Sequence, residues 1–152
     1  GYFYDFTRTW CLGFAPDDVL AAYEDVLSVY TKVIKLLQMG RPFKEYQDMA
    51  CEQFSARGHP TIKEDPQTKI GYVHSLGHGI GLNIHERPWS GISSDEKDCL
   101  VPRSVFTIEP GLYYPDKGMG VRLENSLWVR PDGKMEVLAE YPMDLVLPVK
   151  AS

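Results

Sequence analysis

At 152 residues the chain is one domain's worth of polypeptide, long enough to bury a sizeable core. A hydrophobic fraction of 43% and a charged fraction of 24% are ordinary for a globular protein, and a net charge of −5 argues against the basic face that nucleic acid requires. Lys and Arg are scattered, the longest apolar runs are too short to span a bilayer, and no segment at the start reads as a secretory leader. No membrane partner is expected, therefore, and the cytoplasm is the expected compartment. Cys11, Cys51 and Cys99 are odd in number and far apart, which fits reduced thiols serving as small buried or half-buried hydrophobes.

Residues 2–14 are aromatic and β-branched enough to predict a strand, ended by Gly13 and Pro16. The chain enters this run with no cap or turn before it, as a piece of a longer protein would. A long helix is expected from Asp17 to Met39, with Leu20, Tyr23, Leu27, Tyr30, Ile34 and Leu37 as its apolar stripe and Gly40 as its stop. Asp17, Asp18, Glu24 and Asp25 read as its capping turn and wet face. A second helix is expected over residues 42–57, with Phe43, Tyr46, Met49, Ala50 and Phe54 on one side. The Pro-containing segment 59–70 reads as a loop, with His59 a surface polar residue. Strand-like runs follow at 71–76, 79–85, 104–109, 120–129 and 135–147, broken by Pro and Gly. Two helices followed by strands predict an α+β layer fold, with helices over one face of a largely antiparallel sheet.

The chemistry concentrates in Gly71-Tyr-Val-His74-Ser-Leu-Gly-His78-Gly-Ile-Gly-Leu-Asn-Ile-His85-Glu, which holds three of the chain's four histidines. Gly77, Gly79 and Gly81 would let a ligand or another backbone approach closely. Asp5, Glu109 and Glu124 each lie in a half-apolar, strand-like setting. Alone, each would read as a solvated edge charge; together they read as a cluster, and burying three unpaired carboxylates is costly without a cation. Arg122 shares the strand parity of Glu124 but cannot neutralise three acids. Several carboxylates with imidazole suit Mn, Fe, Co or Zn. The motifs of other chemistries fail: the Gly77–Gly81 run is not a dinucleotide fingerprint, and neither a Gly-x-Ser-x-Gly elbow nor a His-Glu-x-x-His helix is present.

The segments Tyr4-Asp5-Phe-Thr-Arg8-Thr9, His74-Ser-Leu-Gly-His78-Gly-Ile-Gly, His85-Glu86-x-Pro88, Phe106-Thr-Ile-Glu109-Pro110-Gly111 and Val121-Arg122-Leu-Glu124-Asn occur in one order across almost the whole chain. In that order they resemble the pita-bread metallopeptidases of the creatinase, prolidase and aminopeptidase P type. The resemblance implies a pita-bread fold, N-terminally truncated, with residues 1–152 forming the C-terminal part of its catalytic domain. It implies a binuclear divalent-metal site, Mn first and Co or Zn next, with Asp5 and Glu124 bridging, His78 the imidazole ligand and Glu109 a terminal ligand and proton shuttle. His74 and His85 would meet the substrate, and Arg122 would orient the carboxylates. The reaction implied is hydrolysis of an Xaa-Pro bond, in dipeptides or at peptide N-termini, by a hydroxide shared between the metals. The spacing of His74 before His78 and of Arg122 before Glu124 favours this branch over methionine aminopeptidases, and the retained ligands disfavour creatinase. The family's further aspartate lies upstream of the four residues that precede Asp5, so an incomplete site and little turnover are expected of this chain alone. A homodimer is expected of the intact protein. The competing expectation is a pita-bread module that binds peptides without cleaving them.

Overall fold

A computed structural model of the chain describes residues 1–149, so the last three residues of the expected 1–152 unit lie outside the described residues. The first helix, α1 (Asp17–Leu36), starts after the extended Pro16, with Asp17 and Asp18 set against its positive end. It buries Ala22, Tyr23, Val26, Val29, Tyr30 and Val33. The helix is thus rotated from the expected stripe: Tyr23 and Tyr30 face inward as expected, but Leu20 is exposed and Leu27 and Ile34 only flank the core. Both flanks are apolar at helical spacing, so periodicity defines a helix without fixing its rotation. The helix also ends before Met39. The Gln38 amide, which would extend it, donates to the Tyr46 hydroxyl at 2.8 Å, while Leu37 is already extended.

The second helix, α2 (Lys44–Ser55), is shorter at both ends than its expected range and packs Tyr46, Ala50, Cys51 and Phe54 into the core. Gly58, at φ +85°, reverses the chain beyond it. Phe43, just before α2, meets Phe106 edge-on with ring centroids 5.5 Å apart. Between the core residues lies one polar side chain that the hydrophobic pattern did not flag. Gln47 is fully buried; its amide donates to His74 O at 3.2 Å, and its carbonyl accepts from the Tyr72 hydroxyl at 3.0 Å and from the Leu76 amide.

The strands are β1 (Cys11–Leu12), β2 (His78–Gly79), β3 (Glu86–Trp89), β4 (Val105–Ile108), β5 (Gly111–Tyr114), β6 (Met119–Arg122), β7 (Asn125–Val129), β8 (Met135–Val137) and β9 (Val146–Leu147). A five-stranded antiparallel sheet has the order β3-β2-β4-β7-β8. β5 and β6 form a separate antiparallel pair packed under α1, and β1 pairs in parallel with β9. The helix-on-antiparallel-sheet expectation therefore describes the architecture, but several strand runs differ from their expected extents.

Residues 2–14 form no continuous strand. They are tied to β7 and its approach by a Thr7–Glu124 bridge, by Ser126, which both donates to Asp5 O at 2.8 Å and accepts the Asp5 amide, and by Arg8, which reaches Glu124 O, Asn125 and Pro142 O. Side-chain bonds and scattered backbone bonds, among them the short β1 pairing, together replace one continuous ladder. Run 71–76 has only bridges at Gly71 and Tyr72, because the next amides are also taken by side chains: Leu76 by Gln47, Gly77 by Ser90 and His78 by Thr107. Run 79–85 leaves the sheet after Gly79, and run 135–147 is interrupted through Pro142. Gly77 and Gly79 are required by backbone rather than by ligand: a Cβ would lie 2.0 Å from Thr107 O at the first and 2.1 Å from Arg87 O at the second.

Run 120–129 is two strands, and its break matters for function. β6 pairs with β5 and β7 with β4, so the chain changes sheets across Leu123–Glu124. It makes the converse change across Glu109–Pro110, between β4 and β5. Both glutamates thus stand where one sheet hands over to the other.

Candidate metal centre

Four elements converge at that junction. Asp5 comes from the extended N-terminal segment, His78 from β2, Glu109 from the end of β4 and Glu124 from the residue before β7. His78 Nε2 lies 3.2 Å from a Glu109 oxygen and 3.9 Å from an Asp5 oxygen. Two groups of ligand atoms, each within 4.8 Å of one another, share this histidine: His78, Glu109 and Glu124 form one, and Asp5, His78 and His85 form the other. Each residue expected as a metal ligand therefore lies in the cluster. His74 and Arg122, expected elsewhere in the site, belong to neither group.

Neighbouring side chains hold the cluster in place. The His78 ring is oriented by Nδ1, which lies 3.0 Å from Gly79 O and donates to it, turning Nε2 toward the carboxylates. Thr107 accepts the His78 amide and donates to Glu109 at 3.2 Å. Thr7 donates to Glu124 at 2.5 Å and accepts from Arg122 Nε at 3.2 Å. Arg122 stands 3.8 Å from Glu124 itself, so its closer hold on that carboxylate runs through Thr7. A further chain runs from Arg122 to the Tyr113 hydroxyl at 3.3 Å and from Tyr113 to His74 Nε2 at 3.0 Å, while His74 Nδ1 bonds Ser75 O at 2.8 Å. Thr7, Gln47, Thr107 and Tyr113 were not singled out from the sequence. Parity offered a signal for two of them: Thr7 lies two residues from Asp5 and Thr107 two from Glu109.

His59 departs from its expected surface role. It is half-buried, its Nε2 2.9 Å from Asp25 and its Nδ1 against the Tyr114 hydroxyl, and Asp25 also pairs with Arg57 at 3.0 Å. These contacts tie the start of the 59–70 loop to α1, which no periodicity could indicate.

The electrostatics of the cluster ask for positive charge. Burial, reinforced by Glu109 and Asp5 and opposed by the Thr7 hydrogen bond and Arg122, pushes the Glu124 carboxyl up to about 7. Burial depresses His78, but its bond to Glu109, the Gly79 carbonyl and the nearby carboxylates outweigh that and raise it. Burial also works against ionised Glu109, yet the His78 bond, His74 and Arg122 hold it below the usual carboxylate range. His74 is lowered, chiefly by burial. Without a cation the cluster therefore retains protons near neutrality. Buried carboxylates that cannot all ionise, beside an imidazole nitrogen aimed at them, fit a divalent ion.

Comparison with known proteins points to a family of metallopeptidases. A model of metallopeptidase family M24 matches residues 1–131. The chain is 34% identical over 129 residues to the Xaa-Pro dipeptidase of Pyrococcus furiosus, covering 85% of this chain and 34% of that one. Its fold is similar to that of a dipeptidase from Pyrococcus horikoshii, with a TM-score of 0.81 and 32% identity over 97% of this chain and 38% of the other. It is likewise similar to an X-Pro aminopeptidase from Thermotoga maritima, with a TM-score of 0.79, 31% identity and the same coverages. The chain thus spans little more than a third of the length of these relatives.

Proposed function

The chain belongs to metallopeptidase family M24, and we propose that it carries part of the centre of a peptidase that cleaves the Xaa-Pro bond in dipeptides or at peptide N-termini. The observation that carries this reading is the convergence of Asp5, His78, Glu109 and Glu124 at the junction of two sheets. Relatives named as an Xaa-Pro dipeptidase and an X-Pro aminopeptidase support the substrate class.

In this reading Asp5, His78, Glu109 and Glu124 hold divalent metal, with Mn favoured by the oxygen-rich donors and Co or Zn as alternatives. Bound metal would lower the pKa of water toward neutrality and polarise the scissile carbonyl. Glu109, kept ionised by its surroundings, takes a proton at its carboxylate and passes it to the leaving nitrogen. His74 and His85 hold the carbonyl oxygen and stabilise the charge that develops on it. Tyr113 fixes the His74 ring, and Arg122 with Thr7 fixes the Glu124 carboxylate. The intact enzyme would hold two ions, assemble as a homodimer and work in the cytoplasm; among the described residues no helix is long and apolar enough to cross a membrane. The test is metal-dependent release of proline from Xaa-Pro dipeptides, and of the first residue from longer Xaa-Pro peptides, by this chain and by any longer polypeptide containing it. Loss of all metal-dependent cleavage from both would overturn the reading.

Metal binding is expected to displace protons from Glu124 and His78. Both groups are raised, so the protonated, metal-excluding forms persist up to about pH 7 for Glu124. The Glu124 contribution should raise Mn affinity by roughly tenfold per pH unit from pH 5.5 toward 7 and level off above it. Calorimetry in buffers of different ionisation enthalpy measures both the slope and the protons released. A pH-independent affinity across this range would contradict the assignment of Glu124 as a ligand.

A further inference from the structure

The two ligand groups that meet at His78 differ in chemistry. Glu109, Glu124 and His78 offer two carboxylates and one imidazole, whereas Asp5, His78 and His85 offer one carboxylate and two imidazoles. They cannot both be filled. Nδ1 of His78 is engaged with Gly79 O, which leaves Nε2 as its single free lone pair, and one lone pair serves one ion. His85 is exposed, on the bend that follows β2, and its ring stands edge-on to His78 with centroids 4.3 Å apart. Its position beside Asp5 and His78 gives the cluster a second face that is richer in nitrogen than the one formed by the glutamates.

We propose that Asp5, His78 and His85 form an alternative, nitrogen-rich metal position, and that the identity of the ion decides which of the two positions is filled. The inference rests on the reading of the cluster as a metal centre. Two imidazoles and a carboxylate, with solvent completing the shell, are a donor set that suits Zn, and the same donors suit Co or Ni. Mn gains less from nitrogen and is better served by Glu109 and Glu124. One ion per chain is expected in either case, because His78 is common to both positions. For a peptidase the consequence is a division of labour in His85. With Mn bound its imidazole is available to substrate; with Zn bound it is withdrawn into the metal's own shell.

The test is to titrate Zn and Mn separately, by calorimetry, into the unmodified chain, into His85→Ala and into Glu124→Gln. His85→Ala is expected to weaken Zn at least tenfold and Mn less than twofold, and Glu124→Gln to weaken Mn by the larger factor. His85 is exposed, so its replacement should leave the unfolding transition in place, and the titrations then report binding. As a second readout, the imidazole nitrogen resonances of His85 should shift when Zn is added. Equal effects of His85→Ala on both ions, or unchanged Zn affinity, would overturn this inference and leave the glutamate centre standing. Failure of both ions to bind the unmodified chain would overturn the inference and the reading it rests on.

Discussion

Replacing Glu124 with glutamine is expected to do two opposite things: weaken Mn binding at least about a hundredfold and stabilise the metal-free protein. The first effect follows from the loss of a ligand oxygen's charge at a site whose other donors stay in place. The second follows from the burial of that carboxylate, 2% exposed and pushed from the ordinary 4.5 up to about 7. A carboxyl whose pKa is higher folded than unfolded contributes stability below the unfolded value, and that contribution is lost as pH rises through the folded one. Metal-free protein should therefore weaken between about pH 4.5 and pH 7, by roughly 3 kcal/mol from this group. Glutamine keeps an acceptor for the Thr7 hydroxyl and has no charge to lose, so the variant should lack this component and exceed the unmodified chain in stability above pH 7. Urea unfolding at pH 5 and pH 8, with and without Mn, measures both arms. A variant less stable than the unmodified chain at pH 8 without metal would refute the argument. His78, also raised, adds loss in the same direction and Glu109, lowered, opposes it, so the decisive quantity is the difference between the two proteins.

Gln47→Leu is expected to destabilise the fold by about 3 to 5 kcal/mol, more than most single core substitutions. Leucine fits the volume approximately but strips partners from the Tyr72 hydroxyl, the Leu76 amide and the His74 carbonyl, which are joined by Gln47 alone among these groups. Each polar group left dry costs about 1 to 3 kcal/mol. The loss should reach the metal centre as well, because Gln47 holds the irregular backbone between Tyr72 and Leu76 that delivers His74 and then His78. Denaturant unfolding together with Mn titration separates the two consequences. A change in stability under 1 kcal/mol would mean that this segment is positioned by something other than Gln47.

The clustering of the candidate ligands was more legible in the sequence than the extents of the strands were. Asp5, Glu109 and Glu124 stood out because carboxylates are costly among Phe, Ile, Val and Leu, and that cost is local to the sequence. The histidines stood out by density. What the sequence could not display were the bonds between distant side chains and backbone. Gln47 looked like one more polar residue on a helix, Ser126 and Thr107 like strand residues, and His59 like surface. Each draws its role from a partner far along the chain: Asp5 for Ser126, His78 for Thr107, Tyr114 for His59. The same bonds explain why runs 2–14 and 71–76 failed as strands. They are extended and apolar, as strands are, but isolated backbone bridges and side-chain bonds share the backbone groups that a continuous ladder would take. The rotation of α1 was hidden for another reason. Its valines and leucines offer two overlapping stripes, and only packing against β5 and β6 selects one.

The handover of chain between sheets at Glu109–Pro110 and at Leu123–Glu124 has a mechanical consequence. Each carboxylate stands in a handover of two residues, so the separation of the pair follows the way the β5–β6 strands leave the five-stranded sheet. An ion held between them is gripped like an object in tongs whose hinge is the fold itself, with α1 lying across one arm.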